Sequence, residues 1–331
     1  MAKAGESAHR PAIAMPEGPP PAPQPRLWLN DFTWRDGALH IRKTHIRLAI
    51  SYPLLAEIAS WAVWLAILWS AALAARLRRP AGRLQFAPDR PRPWYLLRAA
   101  ALWAGFGVAR NDQSVDAAFY FDDSTVGAAP QSPAARHFNH ACTDISKSHV
   151  ARIFEDVFGY PLSVDPLHSD GEIIEKPEKN GVHGGRIVRA PHIPLAGMTY
   201  QRVVDTEDET GCCRDLRTPT CAGVPVVVWI KTKTPEGRFS IHNRKAVLAE
   251  PAAVYSAAEL AGIKVFCARM GLDWGGLDIL RDRHDGRIYI VDVNKTDLGP
   301  VIALSWRDKI VSMQRLARAL RHLVSGEALE P

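Results

Sequence analysis

Two carboxylates and an amide late in the chain are of the residue types that could hold a divalent cation. Asp292 and Asn294 stand two residues apart in "RIYIVDVN". Residues i and i+2 of a strand point to the same face, so these two side chains share a face if the run is a strand. A solvated strand face is the simpler explanation of such residues, and a metal site needs a further donor.

A hairpin would supply that donor. The segment "HDG" at 284–286 separates two strand-like runs, and a three-residue loop with a left-handed third residue favours glycine at that position. This register pairs Arg283 with Arg287 and sets Asp278 opposite Asp292, with Cβ atoms about 4.5–5.5 Å apart. A two-residue turn would instead move Asp278 to the other face.

The chemistry of this group favours a hard cation. Like charges that face each other destabilise a sheet, so the carboxylate pair requires a compensating positive charge. Oxygen donors suit Mg²⁺ or Mn²⁺, and Mg²⁺ usually shares its coordination shell with phosphate oxygens. We therefore predict that Asp278, Asp292 and Asn294 form a metal site beside a nucleoside triphosphate.

The elements that must position these residues lie between about 112 and 300. Short strand-like runs alternate there with helical ones, a pattern typical of α+β domains. One predicted helix, "SAAELAGIKVFCARMGL", has Ser256 three residues before Glu259, the spacing of a capping box. The predicted strands are "GEIIEKP", "VPVVVWIKTK", "GLDILRD" and "RIYIVDV".

The stretch "MGLDWGGLDILRDRHDGRIYIVDVNKTDLGP" resembles the metal-binding end of ATP-grasp enzymes. It is closest in style to the branch with ribosomal protein S6 glutamate ligase and bacterial glutathione synthetase. The resemblance implies that Asp278, Asp292 and Asn294 bind magnesium. Asp292 stands where the family usually has Glu, and "NKTDLGP" replaces the usual Asn-x-x-Pro-Gly, so we expect substrate placement to differ.

The resemblance also implies an overall architecture. It predicts an α+β ATP-grasp fold in which two α+β subdomains clasp ATP between antiparallel sheets, preceded by an apolar helical N-terminal segment. The ATP-grasp domain is expected at 111–304, and a C-terminal amphipathic helix and tail at 305–331. The family's N-terminal substrate domain is expected to be absent or much reduced, because only about 81–140 are available, with one clear strand, "AAFYFDD".

Two lysines and a glycine-rich loop correspond to the phosphate-binding parts of the family. Lys147 begins the predicted helix "KSHVARIF", and Lys176 ends an apolar strand that a loop with Gly184 and Gly185 follows. Glycines let backbone N–H groups approach phosphate oxygens. An exposed first-turn lysine and an ordinary glycine-rich turn are the simpler alternatives.

The next two motifs resemble the family's adenine-binding and phosphate-facing strands. "TYQRVVDTE" resembles the hinge strand, which implies backbone contacts to adenine and an acid on the ribose. The residues carried over are Gln201, Arg202, Val203 and Val204 for adenine and Asp205 for ribose.

"CRDLRTPTCAG" then resembles the Asp-x-Arg strand, which places Arg217 toward phosphate or the acyl intermediate. A strand salt bridge of Arg217 with Asp215 is the alternative. Lys231, Lys233 and Asn243 fall where the family has further phosphate and metal-side contacts.

The resemblance implies a ligase that uses ATP and Mg²⁺ (or Mn²⁺) to join a carboxylate to an amine through an acylphosphate. The acid and the amine are not identified by the sequence. The alternatives are a non-catalytic or degenerate ATP-binding, membrane-associated protein and an ATP-grasp phosphotransferase.

The N-terminal part has a different composition. Residues 1–26 are rich in Pro and Ala and are expected to be disordered. The region 27–110 contains a predicted apolar helix at 53–77, whose run 58–75 has no charged residue. That run is at the short limit for a bilayer span of about 20 residues, so a span, a membrane-surface helix and a buried helix all remain open. The arginines that follow would keep the C-terminal part in the cytoplasm.

Charge and cysteine content bear on the binding partners and the cellular compartment of the protein. The net charge of +6 fits nucleic acid, anionic lipid or a phosphorylated ligand equally well. The five cysteines show no CxxC or Cys/His metal spacing, which predicts reduced thiols in the cytosol. No nucleic acid is expected, because a solvated face explains Arg315, Arg318 and Arg321, and aromatic residues are not interleaved with them. We expect a cytoplasmic catalytic domain, with the inner face of the membrane as an alternative anchor.

Overall fold

The computed structural model describes residues 28–41, 46–49, 51–78, 81–109, 114–182, 184–234 and 243–327. The chain divides into two compact units, Met1–Ile50 and Ser51–Pro331. The predicted disordered tail at 1–26 lies outside the described residues, so it stays a prediction.

The first unit is a small antiparallel sheet. A 3₁₀ helix, Trp28–Asp31, leads into β1 (Phe32–Arg35), β2 (Ala38–Ile41) and β3 (Ile46–Ala49), which pair in sequence order. Asp36 and Gly37 both have positive φ, 50° and 67°, which fits a two-residue hairpin turn of type I′.

The second unit begins with the predicted apolar helix, which is confirmed as α1 (Tyr52–Arg78). Its buried stripe packs against α2 (Leu96–Trp103). By length and composition alone, Leu55–Arg78 could cross a membrane, and 22% of its most apolar window is buried inside the protein. The helix is therefore partly embedded in the protein and partly exposed.

A parallel sheet occupies the region expected to hold a reduced substrate domain. It consists of β4 (Arg83–Pro88), β5 (Gly107–Val108), β6 (Ala117–Phe121) and β7 (His137–Phe138), in the order β5-β4-β6-β7. Sequence analysis predicted only β6, whose five residues are all buried. The flanking strands β5 and β7 are two residues long, too short to show a periodic pattern.

An antiparallel sheet and a helix follow. The helix α3 (Lys147–Phe158) precedes β8 (Gly171–Pro177), β9 (Arg186–Ala190) and β10 (Met198–Arg202), which pair in the order β10-β8-β9. The strand β8 is therefore central, and it carries Lys176 opposite Thr199 of β10.

The largest sheet is also antiparallel. Its main strands are β11 (Cys213–Cys221), β13 (Val228–Lys233), β14 (Lys245–Ala249), β15 (Trp274–Arg281) and β16 (Ile288–Asn294), in the order β14-β13-β11-β15-β16, and the short β12 (Val224–Pro225) pairs with β11. The helices of this part are α4 (Pro251–Val254), α5 (Ala257–Met270) and α6 (Trp306–Ser325).

The helices α3 and α5 form one hydrophobic core with this sheet. Apolar side chains from both helices, among them Val150, Phe154, Ile263 and Phe266, are buried with Leu277, Ile279 and Ile290 of the sheet. The predicted capping box at Ser256 and Glu259 is present and begins α5. The predicted α+β class with antiparallel sheets behind an apolar helix is confirmed.

Candidate active site

The central pair of carboxylates lies on adjacent strands in the predicted register. Asp278 of β15 is the cross-strand partner of Asp292 of β16, and Asn294 pairs with Gly276 two positions further along. All three predicted metal-ligating side chains therefore lie on the same face of the sheet.

The chain reaches this register by a route that sequence analysis did not predict. The expected pairing of Arg283 with Arg287 is wrong, because the Asp282 amide donates to the Arg287 carbonyl at 3.0 Å and the loop spans 283–286. Arg281 therefore pairs with Ile288, a register that would set Asp278 opposite Val291.

A β-bulge corrects the offset. The register shifts between Asp278 and Ile279, so that Val291 is left as the extra residue on β16. The extra residue of a bulge is left without a cross-strand partner. Here the Val291 carbonyl accepts a long hydrogen bond of 3.5 Å from the Lys176 ammonium. The bulge thus aligns the carboxylates and brings a predicted phosphate-binding lysine beside them.

Asp278 is the most heavily partnered residue of the site. It accepts hydrogen bonds from Arg217 Nη1 at 2.5 Å, Lys231 Nζ at 3.2 Å and Asn294 Nδ2 at 3.4 Å. Burial alone would raise its pKa, but Arg217 and Lys231 hold the pKa well below its usual range. Protein cations therefore offset the repulsion between the two carboxylates in part.

Arg217 is held by two carboxylates from different segments. Its Nε donates to Asp297 Oδ1 at 3.1 Å and its Nη2 donates to the same oxygen, while Nη1 binds Asp278. The alternative salt bridge of Arg217 with Asp215 is not formed. Asp215 instead pairs with Lys233 at 2.8 Å and with Lys231 at 3.8 Å.

Asp297 is a site residue that sequence analysis missed. Its side chain is fully buried, and its Oδ2 has no hydrogen-bond partner among the described residues. A Cβ at Gly276 would lie 2.1 Å from that oxygen, so glycine is required there for Asp297 to reach Arg217. The departure "NKTDLGP" from the family motif was the available signal.

Asp292 faces the two predicted phosphate lysines. Burial raises its pKa, and the charges of Lys147 and Lys176 oppose that rise. Burial lowers the pKa of Lys176 to about 8, against the charge of Asp292.

Lys147 is only 5% exposed, and its ammonium donates to the Lys179 carbonyl at 2.9 Å. The alternative that Lys147 is an exposed first-turn residue is therefore wrong.

The donor set fits a hard divalent cation. No three His, Cys, Asp or Glu side chains within the described ranges are grouped to hold a metal, and the predicted set instead combines two carboxylates with an amide. Three protein oxygens leave about half of an octahedral Mg²⁺ shell for phosphate and water. Asp278 is 24% exposed, so these positions are accessible.

The predicted adenine and ribose residues lie on and after β10, which pairs with β8. Gln201 and Val204 are buried. Arg202 donates to the Tyr289 hydroxyl at 2.6 Å and lies over the same ring. Asp205 pairs with Arg283 at 2.6 Å and His284 at 3.0 Å, so this carboxylate already binds the β15–β16 loop. The adenine and ribose roles stay predictions.

The remaining predicted residues lie near the ends of strands. Gly184 and Gly185 fall between β8 and β9, and Gly184 has φ of 144°, a conformation that favours glycine. The Asn243 Oδ1 is buried without a partner among the described residues. The histidines at 183 and 242, for which no role was predicted, lie outside the described residues.

Comparison with known proteins gives similarity at the level of structure. No family model matches the sequence, and no curated protein matches it. The ATP-grasp ligase PsnB, in complex with a minimal precursor, is 14% identical over 73% of this chain and 99% of its own, with a TM-score of 0.46.

Two further solved structures have similar values. The macrocyclase MdnC from Microcystis aeruginosa MRC, bound with precursor peptide MdnA, is 11% identical over 74% of this chain and 99% of its own, with a TM-score of 0.45. A RimK domain ATP-grasp protein from Sphaerobacter thermophilus DSM 20745 is 13% identical over 74% and 100%, with a TM-score of 0.45. PsnB and the RimK domain protein are both ATP-grasp proteins.

Proposed function

We propose that this protein is an ATP- and Mg²⁺-dependent ligase of ATP-grasp type that joins a carboxylate to an amine. One observation carries the proposal: three cations from three separate elements lie around a single carboxylate pair. Lys147 of α3, Lys176 of β8 and Arg217 of β11 all interact electrostatically with Asp292, which faces Asp278.

This arrangement suits a triphosphate with its metal ion. Lys147 is buried and Lys176 is half-buried, and ammonium groups in such positions form strong charge-assisted hydrogen bonds with phosphate oxygens. Asp278, Asp292 and Asn294 would hold Mg²⁺, which when bound neutralises charge on the phosphate oxygens. Catalysis of this kind depends mainly on positioning and charge stabilisation.

The proposed reaction has two steps. A carboxylate oxygen of the first substrate attacks the γ-phosphorus of ATP, the bond to the β-phosphate oxygen breaks, and ADP leaves. The amine nitrogen of the second substrate then attacks the acyl carbon, loses a proton and expels phosphate. The products are an amide, ADP and phosphate.

Arg217 is the residue that we assign to the reacting group. A guanidinium can bind a planar carboxylate or a phosphoryl group through two parallel N–H donors. Two of its nitrogens bind Asp297 and a third binds Asp278. We propose that Asp297 retains Arg217 in the site when Asp278 turns to the metal. Lys233, paired with Asp215, would support the same phosphate side.

A protein that binds ATP without turnover is the second candidate. The Arg217–Asp278 contact favours it, because a ligand that already accepts from an arginine binds Mg²⁺ less readily. The shorter Asp292 in place of Glu favours it as well.

Product analysis distinguishes the candidates. The purified full-length protein would be incubated with ATP and Mg²⁺ against a panel of amino acids, short peptides and small carboxylic acids, with ADP release and product mass recorded. We expect ADP release that depends on both an acid and an amine, with an amide product.

A phosphorylated product without an amide would indicate a phosphotransferase, and Mg²⁺-dependent ATP binding without turnover would indicate the second candidate. Absence of ATP binding would refute the proposal. Asp278→Ala should lose the dependence of ATP binding on Mg²⁺, and Asp170→Ala, which removes an exposed carboxylate before β8, is its control.

A further inference from the structure

The helix α1 has two apolar faces with different surroundings. One face is buried through Trp64, Leu65, Leu68 and Ala72, each at most 6% exposed. The opposite face leaves large apolar side chains between 43% and 78% exposed, namely Leu55, Ile58, Val63, Trp69, Leu73 and Leu77. Large exposed apolar patches mark interaction sites on proteins.

The exposed face carries no charged side chain along most of its length. No charged residue occurs between Glu57 and Arg76. The Ser70 hydroxyl donates its proton to the Ala66 carbonyl at 2.8 Å within the helix, so its donor is satisfied locally. A helix that is apolar all round is removed from water by protein or by lipid, and protein covers only one side of α1.

The buried face anchors α1 in the folded unit. The rings of Trp64 and Trp103 stack at 6.1 Å, and those of Trp61 and Trp94 lie 6.3 Å apart. The α2 helix, which carries Trp103, is connected to the candidate site, because the Leu96 amide donates to the Asp297 carbonyl at 2.8 Å. If α1 crossed a bilayer, it would lose these packing contacts with Trp94 and Trp103.

Basic residues cluster at the C-terminal end of the exposed face. Arg76 and Arg78 are exposed. Burial, with smaller contributions from the charges of Arg76 and Arg90, lowers the pKa of Arg98 on α2 to about 10, so Arg76 and Arg90 each lie near Arg98. Arg98 Nη1 has no hydrogen-bond partner among the described residues. Such a cluster is complementary to the phosphates of anionic lipids.

We propose that α1 docks this protein on an anionic bilayer surface without crossing it. The helix lies parallel to the membrane plane, its exposed face reaches the boundary between headgroups and acyl chains, and its buried face stays on the folded unit. Over 27 residues the helix is about 40 Å long, which gives an extended line of contact.

Vesicle flotation with the full-length protein tests the docking. Phosphatidylcholine vesicles with and without phosphatidylglycerol would be used with the wild type and with the double variant Val63→Glu/Leu73→Glu. We expect flotation with anionic vesicles and at least about a tenfold lower bound fraction for the double variant, since charged side chains are costly in the acyl-chain boundary. Arg76→Glu/Arg78→Glu should lose only the preference for anionic vesicles.

Val265→Glu is the matched control. Val265 lies on α5 and is 49% exposed, close to the 52% of Val63, so this variant should float like the wild type. Wild-type protein that stays unbound to anionic vesicles would overturn the proposal, whether it is monomeric or forms a dimer by sedimentation. Thermal unfolding of each variant verifies that it remains folded.

Depth measurements separate docking from spanning. The described cysteines are all buried, so single cysteines introduced as Leu55→Cys, Val63→Cys or Leu73→Cys can be labelled selectively with an environment-sensitive fluorophore. Lipids brominated at different acyl positions should quench all three labels at similar, shallow depth. A label at 63 that lies near the bilayer centre while those at 55 and 73 lie near opposite headgroups would show a span and overturn the proposal.

Discussion

Replacing Arg217 by methionine should destabilise the protein strongly, because it leaves a buried carboxylate without its cation. Asp297 is fully buried and Arg217 is 11% exposed. Removing one partner of a buried ion pair typically costs about 3–5 kcal/mol. The lost contact between Arg217 and Asp278 should add little to this cost, because Asp278 is partly exposed and keeps its contact with Lys231 at 3.2 Å. We therefore expect a loss of about 3–5 kcal/mol in the free energy of unfolding at pH 7.

The pH dependence of this loss follows from the buried carboxyl. Burial raises the pKa of Asp297. Without Arg217, Asp297 of the folded variant therefore keeps its proton above pH 4, whereas an Asp in the unfolded chain, with a pKa of about 3.9, releases it. The folded state then holds more protons than the unfolded chain, so the stability of the variant falls as pH rises above about 4. The deficit relative to wild type should be smaller at pH 4 than at pH 7.

Urea denaturation at both pH values would measure these differences, with Asp297→Asn and the double variant alongside. Asparagine removes the buried charge, so the double variant should recover most of the loss, and the two changes should be strongly non-additive. A loss below about 1 kcal/mol for Arg217→Met, or additive effects in the double variant, would refute the assigned pairing.

Three further predictions concern neighbouring residues. Gly276→Ala should cost about 1–3 kcal/mol of stability, because its Cβ would lie 2.1 Å from Asp297 Oδ2. The control Gly107→Ala should cost less, because the nearest atom to its Cβ is 3.5 Å away. Equal losses of stability in urea denaturation would contradict this prediction. ATP affinity should fall as pH rises through about 8, where Lys176 loses its proton. In calorimetric titrations, Lys176→Arg should remove this pH dependence of ATP affinity. A pH dependence that persists in the variant would exclude Lys176 as its source. Lys147→Met should weaken ATP binding by about tenfold or more through loss of one charge-assisted contact, while Lys264→Met on α5 should leave affinity unchanged.

The sequence predicted the carboxylate pair correctly although it predicted the hairpin loop incorrectly. The actual loop shifts the register by one residue and the bulge at Val291 shifts it back. Glycine spacing indicates a loop type, but a bulge depends on how the finished sheet twists and packs, which a single sequence does not encode locally. Asp278, Asp292 and Asn294 were therefore identified by a residue pattern and aligned by tertiary structure.

Other features of the site and the fold cannot be predicted from local sequence patterns. The role of Asp297 depends on Arg217 and on the missing side chain at Gly276, and these three residues belong to separate segments. The parallel sheet was underestimated: β5 and β7 are only two residues long, and the six-residue β4 was missed as well. The helix α5 and the strands β8, β13, β15 and β16, in contrast, follow from capping residues and apolar runs, as the box at Ser256 and Glu259 illustrates.

The most direct test of the central claim is ATP affinity as a function of Mg²⁺ concentration. Wild-type protein should bind ATP more tightly as Mg²⁺ rises, whereas Asp292→Ala should lose this dependence and Asp170→Ala should keep it. An Asp292→Ala variant whose ATP affinity responds to Mg²⁺ as the wild type does would contradict the proposed site.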